Sequence, residues 1–155
     1  MVKLIYGDRI AKYAELRVNA AAVIFDGSRE NVLLIRRSDN GLWCVPGGGM
    51  DPGESVEETC ARETFEETGL EVRVTRLIGI YTSPNVIATY GDGNRWQSVG
   101  MFFEAEVTGG ELTTSDETTD IGYFPIDLLG DLDLLEDQLE RIEDALKNLP
   151  EAIMK

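Results

Sequence analysis

Residues 46–70 constrain this 155-residue chain more than any other stretch. Pro46-Gly47-Gly48-Gly49 is expected to stop regular structure, because proline lacks an N–H and three successive glycines favour no one conformation. A helix follows with a readable start and end. Ser55-Val56-Glu57-Glu58 has the form of a capping box, with the Ser55 hydroxyl as N-cap and Glu58 three residues on. Gly69 supplies the left-handed residue that closes the helix. Inside it Glu63, Glu66 and Glu67 stand at i, i+3 and i+4, so their carboxylates share one face. Ala61, Thr64, Phe65 and Thr68 take the opposite side, where Phe65 and Ala61 are expected to pack on a sheet. Like charges on adjacent turns repel by several tenths of a kcal/mol per pair. A divalent cation removes that penalty, and oxygen-only ligands suit Mg²⁺ or Mn²⁺ and not zinc or copper. Arg62 is placed to hold one of these carboxylates, or Glu54, by a bidentate bond that fixes its rotamer. An isolated acidic helix is more often a solvated face, so the context of these residues decides their reading.

The remaining chain reads as strands with one closing helix. Residues 9–16 suggest a short helix, 18–26 a buried strand, and Asp26-Gly27-Ser28 a turn into a second strand over 32–36. Residues 42–45 are a brief apolar stretch before the glycines. After the acidic helix come a strand over 72–81, a Gly- and Asn-rich loop over 83–95, and a strand over 99–107. Gly109-Gly110 forms a turn, and a Thr-rich acidic loop over 113–120 leads into a short strand over 121–124. Leu135, Leu139, Ile142 and Leu146 recur at helical spacing, predicting an amphipathic helix over 134–149. Loosely alternating strands and helices with hairpin-length connections give an α/β class with a mixed sheet and helices on its faces. No repeat or linker divides the chain, which is read as one domain over 1–155.

Composition excludes several chemistries. Without a histidine there is no Ser-His triad and no His-ligated zinc, and Cys44 and Cys60 fit neither a zinc nor a disulfide scaffold. Both cysteines read as small buried hydrophobes. Twenty-nine acids against fourteen bases give a net charge of −15, which argues against nucleic acid as a partner. No apolar run approaches the ~20 residues that cross a bilayer, so no membrane partner is expected. Residues 1–10 lack the apolar region of a signal peptide, and the cytoplasm is the default location.

Residues 48–70 resemble the Nudix box, G-x5-E-x7-R-E-U-x-E-E-x-G-U with U a bulky apolar residue. The match runs through Gly48, Glu54, Arg62, Glu63, Glu66, Glu67, Gly69 and Leu70, while Thr64 stands at the first U position. Its seven fixed letters would arise by chance about once in 10⁵ such chains, far more specific than an ordinary short motif. The resemblance implies a Nudix-like α/β/α sandwich and Mg²⁺-dependent hydrolysis of a nucleoside diphosphate linked to another group. It implies metal ligation by the Gly47 carbonyl, Glu63, Glu66 and Glu67, with catalytic roles for Arg62, Glu63 and Glu67. A late-loop carboxylate joins the metals or acts as base in many members; Glu117 is the candidate, with Asp116 and Asp120 behind it. The base is therefore Glu63 or Glu117. Homodimers are frequent in the family, and a homodimer stays open here.

For an anionic small-molecule nucleotide, Arg36 and Arg37 are placed on the strand leading to the box, and alternation turns only one of them inward. Gly48 and Arg95 complete the expected substrate contacts, with Arg17 behind them. Tyr81, Tyr90, Trp96 and Gln97 lie where family members place nucleoside contacts, although a surface role is the plainer reading of each. Nucleotide sugars or ADP-ribose lead as substrates. A nucleoside triphosphate pyrophosphatase acting on oxidised nucleotides is the alternative, as is a non-catalytic nucleotide-sensing module. Intact Glu63, Glu66 and Glu67 speak against the module.

Overall fold

A computed structural model describes residues 2–155. Its organising element is the alternation in β2 (Glu15–Val23) and just beyond it. Ala20, Ala22 and Ile24 turn to one face; Ala21 and Val23 turn to the other. All five are buried, so the sheet needs cover on both sides. One side is covered by α1 (Val56–Thr68), whose Cys60 packs with Ala20, Ala22, Ile24 and Leu33. The other is covered by α2 (Gln138–Leu146), whose Ile142 and Ala145 pack with Ala21, Val23, Leu34 and Ile78. The result is an α/β/α sandwich with a mixed sheet, as expected.

The spine of the larger sheet is β8 (Arg95–Gly110), which pairs in parallel with β2 from Glu15↔Trp96 to Val23↔Glu104. Its other edge takes β7 (Val86–Thr89) and then β6 (Leu70–Thr82), both antiparallel. β1 (Lys3–Tyr6) pairs with β7, and β10 (Ile153–Met154) adds to β6 in parallel. A smaller antiparallel sheet joins β3 (Asn31–Arg37) to β4 (Trp43–Cys44) and β9 (Thr118–Pro125). The expected β2–β3 hairpin is brief: Asp26 N–H donates to Asn31 O and Leu33 N–H to Ile24 O, after which the strands part into different sheets. No helix among the described residues is long and apolar enough to cross a membrane.

Several expectations need correction. Residues 10–13 make a single 3-10 turn, and β2 has begun by Glu15, where a helix over 9–16 was expected. The three glycines do not end regular structure; Gly47–Gly49 forms β5, an edge strand antiparallel to β2. Side-chain-free residues are needed there, since a Cβ on Gly47 would stand 2.6 Å from the Ala20 carbonyl oxygen and from Ala21. The loop expected over 83–95 contains β7, whose partner β1 is remote in sequence. α2 starts only at Gln138, because Leu134 and Leu135 are held in a loop against Trp43: Leu135 N–H donates to Trp43 O. Phe65 faces outward at 52% exposed; Thr59, Cys60, Thr64 and Thr68 form the buried face of α1 instead.

Candidate active site

The capping box at Ser55 is present in full, with Glu58 N–H donating to Ser55 Oγ and Ser55 N–H to the Glu58 carboxylate. It starts α1 so that the next two turns carry Arg62, Glu63, Glu66 and Glu67 to the edge strand β5. Arg62 is the hub. Its Nη1 donates to Glu63 Oε1 at 2.9 Å and Glu66 Oε2 at 3.2 Å, and its Nη2 to Glu54 Oε2 and to the Gly49 carbonyl, both at 3.0 Å. Nε completes a fork on Glu54. Glu54 also accepts from Asp51 N–H and the Thr59 hydroxyl. The Arg62 bonds hold the Glu54 carboxyl down at about 2, so it stays ionised and anchors the loop before α1 to the helix.

The two carboxylates nearest the glycines behave differently. Glu63 lies against Gly48, whose Cβ would be 2.5 Å from its carboxyl carbon, so a side chain at Gly48 would displace it. Burial raises its pKa, against the pull of Arg62. Glu67 is 5% exposed and receives a single backbone bond, from Gly47 N–H at 3.1 Å. Burial pushes it up to about 8, with the Glu63 charge adding to the shift. Gly47 thus offers its N–H to a carboxylate, beside the carbonyl that the family resemblance implies as a metal ligand.

These groups line a cleft of about 650 Å³, within the usual range for small-molecule sites. Its floor is one face of β2 and β8: Arg17, Asn19 and Ala21 beside Ser98, Gly100 and Phe102, which are register partners. The acidic wall is Glu63, Glu66 and Glu67 with Gly47, Gly48 and Gly49, and Glu117 reaches in from the late loop. Arg37, Asp39, Cys44 and Val45 close one end; Tyr90, Leu135 and Gln138 border the rest. Gln138 Oε1 accepts from Val45 N–H, tying α2 to the cleft wall. Burial pushes the Cys44 thiol up to about 12, so it stays neutral.

The structure thus brings together Gly47, Gly48, Glu63, Glu66, Glu67, Glu117 and Arg37, with Arg62 behind them. It does not bring in Arg36 or Arg95. Arg36 is exposed and its Nε donates to Gly41 O, on the opposite side of β3 from Arg37; Arg95 begins β8 outside the cleft lining. Arg37 does face the cleft, but its fork is closed on Asp39 by two bonds of 2.9 Å. Tyr90 borders the cleft and the Trp96 ring lies under Arg17. Tyr81 is instead buried against Asp144, and Gln97 bonds Ser83 O. Asn19, Ser98, Phe102, Leu135 and Gln138 escaped the sequence reading. The only signal for the strand residues was the period-2 register with Arg17, which is unreadable until β2 and β8 are paired.

Among the described residues no three acidic side chains converge as a ready-made ligand set. The donor chemistry nonetheless fits a hard divalent cation. Four glutamates face the cleft and offer oxygen donors, and buried Glu67 has no ion-pair partner among the described residues. A cation among Glu63, Glu66 and Glu67 would supply the missing charge, with Glu117 facing it from the late loop.

Comparison with known proteins places these features in context. A family model described as NUDIX domain matches residues 15–146. An ADP-ribose pyrophosphatase of Methanocaldococcus jannaschii is 37% identical over 114 residues, 70% of this chain and 64% of that protein. A putative 8-oxo-dGTP diphosphatase of Bacillus subtilis is 37% identical over 99 residues, 64% of this chain and 60% of that protein. The matched segments thus span less than two thirds of these relatives' length. A crystal structure of a UDP-X diphosphatase superposes with a TM-score of 0.72 at 22% identity, covering 92% of this chain and 68% of that one.

Proposed function

Because the chain belongs to the Nudix family, we propose that it hydrolyses the pyrophosphate bond of a nucleoside diphosphate linked to another moiety, with ADP-ribose and nucleotide sugars as the leading substrates. The observation that carries the reading is the acidic wall of one cleft, where Glu63, Glu66, Glu67 and Glu117 face a floor of two strands. The similarity to an ADP-ribose pyrophosphatase supports the substrate class.

Bound Mg²⁺ would neutralise the pyrophosphate and lower the pKa of the attacking water. This chain's residues do the rest. Arg62 fixes the rotamers of Glu63 and Glu66, so the acidic wall is organised before substrate arrives. Gly48 leaves the space that Glu63 fills. Glu117, unlike Glu63, carries no ion pair among the described residues, and its oxygens are free to take the water's proton. We assign it the base role that the sequence divided between the two.

The second reading, a triphosphate pyrophosphatase, draws on the similarity to the putative 8-oxo-dGTP diphosphatase. A Mg²⁺-dependent hydrolysis panel of ADP-ribose, nucleotide sugars, dinucleoside polyphosphates and nucleoside triphosphates separates them. Two phosphorylated organic products support the first reading, and inorganic pyrophosphate from a triphosphate supports the second. Wild type and Glu67→Gln equally inert across the panel would leave a nucleotide-binding module.

A further inference from the structure

We propose that Arg17 is the phosphate-binding cation of the cleft, taking the phosphoryl group of the substrate that lies away from the carboxylate helix. The inference rests on the cleft being a nucleotide site, as argued above. Among the described residues two cations line it, Arg17 and Arg37. Arg37 is neutralised by the Asp39 fork. The Arg17 guanidinium has no ion pair and no side-chain hydrogen bond among the described residues, so its donor fork is unclaimed.

It is nonetheless held in place. The Trp96 ring lies 5.3 Å from it on one side. On another it rests on Gly49, where a Cβ would fall 2.6 Å from Nη2 and 2.8 Å from Nε. Gly49 is thus pinched between two arginines, because its carbonyl accepts from Arg62. Gly49 pairs with Asn19, and Gly47, which bonds Glu67, pairs with Ala21. Two residues along a strand place the Arg17 fork roughly 7 Å from the Glu67 end of β5. That span suits a substrate whose attacked phosphorus faces the glutamates while its other phosphoryl group meets a cation. In a chain of net charge −15, a lone unpaired guanidinium on the cleft floor is the attraction that a polyanion needs. Phosphate oxygens match the planar fork of arginine better than the single ammonium of lysine.

The test compares Arg17→Ala and Arg17→Lys with the surface control Arg73→Ala. Arg17→Ala is expected to raise KM for the best panel substrate roughly ten- to a hundredfold with kcat within about threefold, the range of a lost charge-assisted bond. Arg17→Lys restores part of the loss, and Arg73→Ala leaves KM unchanged. Gly49→Ala checks the geometry by another route, since the obstructing atoms are the flexible end of Arg17 and no backbone. It should raise KM in the wild-type background and have little further effect in Arg17→Ala. Calorimetric titration with ADP and adenosine in Mg²⁺ separates this proposal from the hydrolase reading. ADP binding weakened about tenfold by Arg17→Ala, with adenosine binding unchanged, supports the phosphate contact even if no panel substrate turns over. Unchanged ADP affinity, equal loss of adenosine binding, or no ADP binding by wild type would overturn it.

Discussion

Two buried carboxylates, one on each side of the sheet, show opposite chemistry from similar burial. Glu67 on α1 is 5% exposed with one backbone N–H for company, and burial drives it toward the protonated form. Asp144 on α2 is 1% exposed, yet the Tyr81 hydroxyl, Lys147 Nζ and Lys155 Nζ all donate to it. Burial pushes its pKa up, but these donors outweigh it and hold the carboxyl below the usual range. Burial alone therefore does not tell a structural acid from a functional one; the count of partners does. Asp144 closes a lock between α2, β6 and the strand at residues 153–154. Glu67 has only the Gly47 N–H and no ion pair among the described residues.

The largest effect that would break this contrast is on turnover. Glu67→Gln is expected to lower kcat by about a hundredfold or more while the melting temperature holds or rises, since the amide is uncharged in the dry site. A matching fall in stability and activity would make Glu67 a structural acid like Asp144. Conversely, Asp144→Asn should cost about 1–2 kcal/mol in denaturant unfolding, because the buried acceptor shared by the Tyr81 hydroxyl and two half-exposed lysines is weakened. Activity per folded molecule should stay near wild type.

The two acids also give opposite pH signatures. Glu67 titrates higher folded than unfolded, so the native state holds the proton more tightly and metal-free stability falls as pH rises from about 4.5 to about 8. Glu67→Gln should flatten that slope in thermal scans, and divalent cation should reduce it. Asp144 titrates lower folded than unfolded. Its contribution is complete above the ordinary carboxyl range and disappears as pH falls through its depressed pKa. Asp144→Asn should therefore flatten only the acid limb.

A smaller effect sharpens the same lesson about partners. Among the described residues the buried Thr64 hydroxyl has no hydrogen-bond partner, whereas buried Thr68 donates to Thr64 O and buried Thr59 to Glu54. Thr64→Val keeps the shape and removes the orphan, and should raise unfolding free energy by about 1 kcal/mol in urea titration.

How much of this was legible depended on how local each signal is. The helix carrying the glutamates was readable to its caps, because a capping box and a left-handed glycine act within four residues of the backbone they satisfy. The two-faced burial of residues 20–24 was legible as class, since an unbroken apolar run belongs to a covered sheet. The glycines were misjudged because β5 exists only through its partner β2, some 28 residues earlier. β1 was missed for the same reason, since its partner β7 lies 80 or more residues on, whereas β7 sat inside the Gly- and Asn-rich stretch, where it forms a short hairpin with β8. Of the two adjacent arginines, alternation showed that only one could face the cleft, but not that Asp39 would claim it. Arg17 stood out from other surface arginines only once Trp96 and Gly49 had been folded around it.

The alanines of β2 set a standoff distance. Ala20 and Ala22 give α1 methyl-sized ground to rest on, and so fix how far the glutamates stand from the glycine strand. A valine at either position would thicken that layer and lift the whole acidic row away from the cleft without touching a ligand. The reach of Glu63, Glu66 and Glu67 is in this sense gauged from beneath, by residues with no polar atom beyond their own backbone.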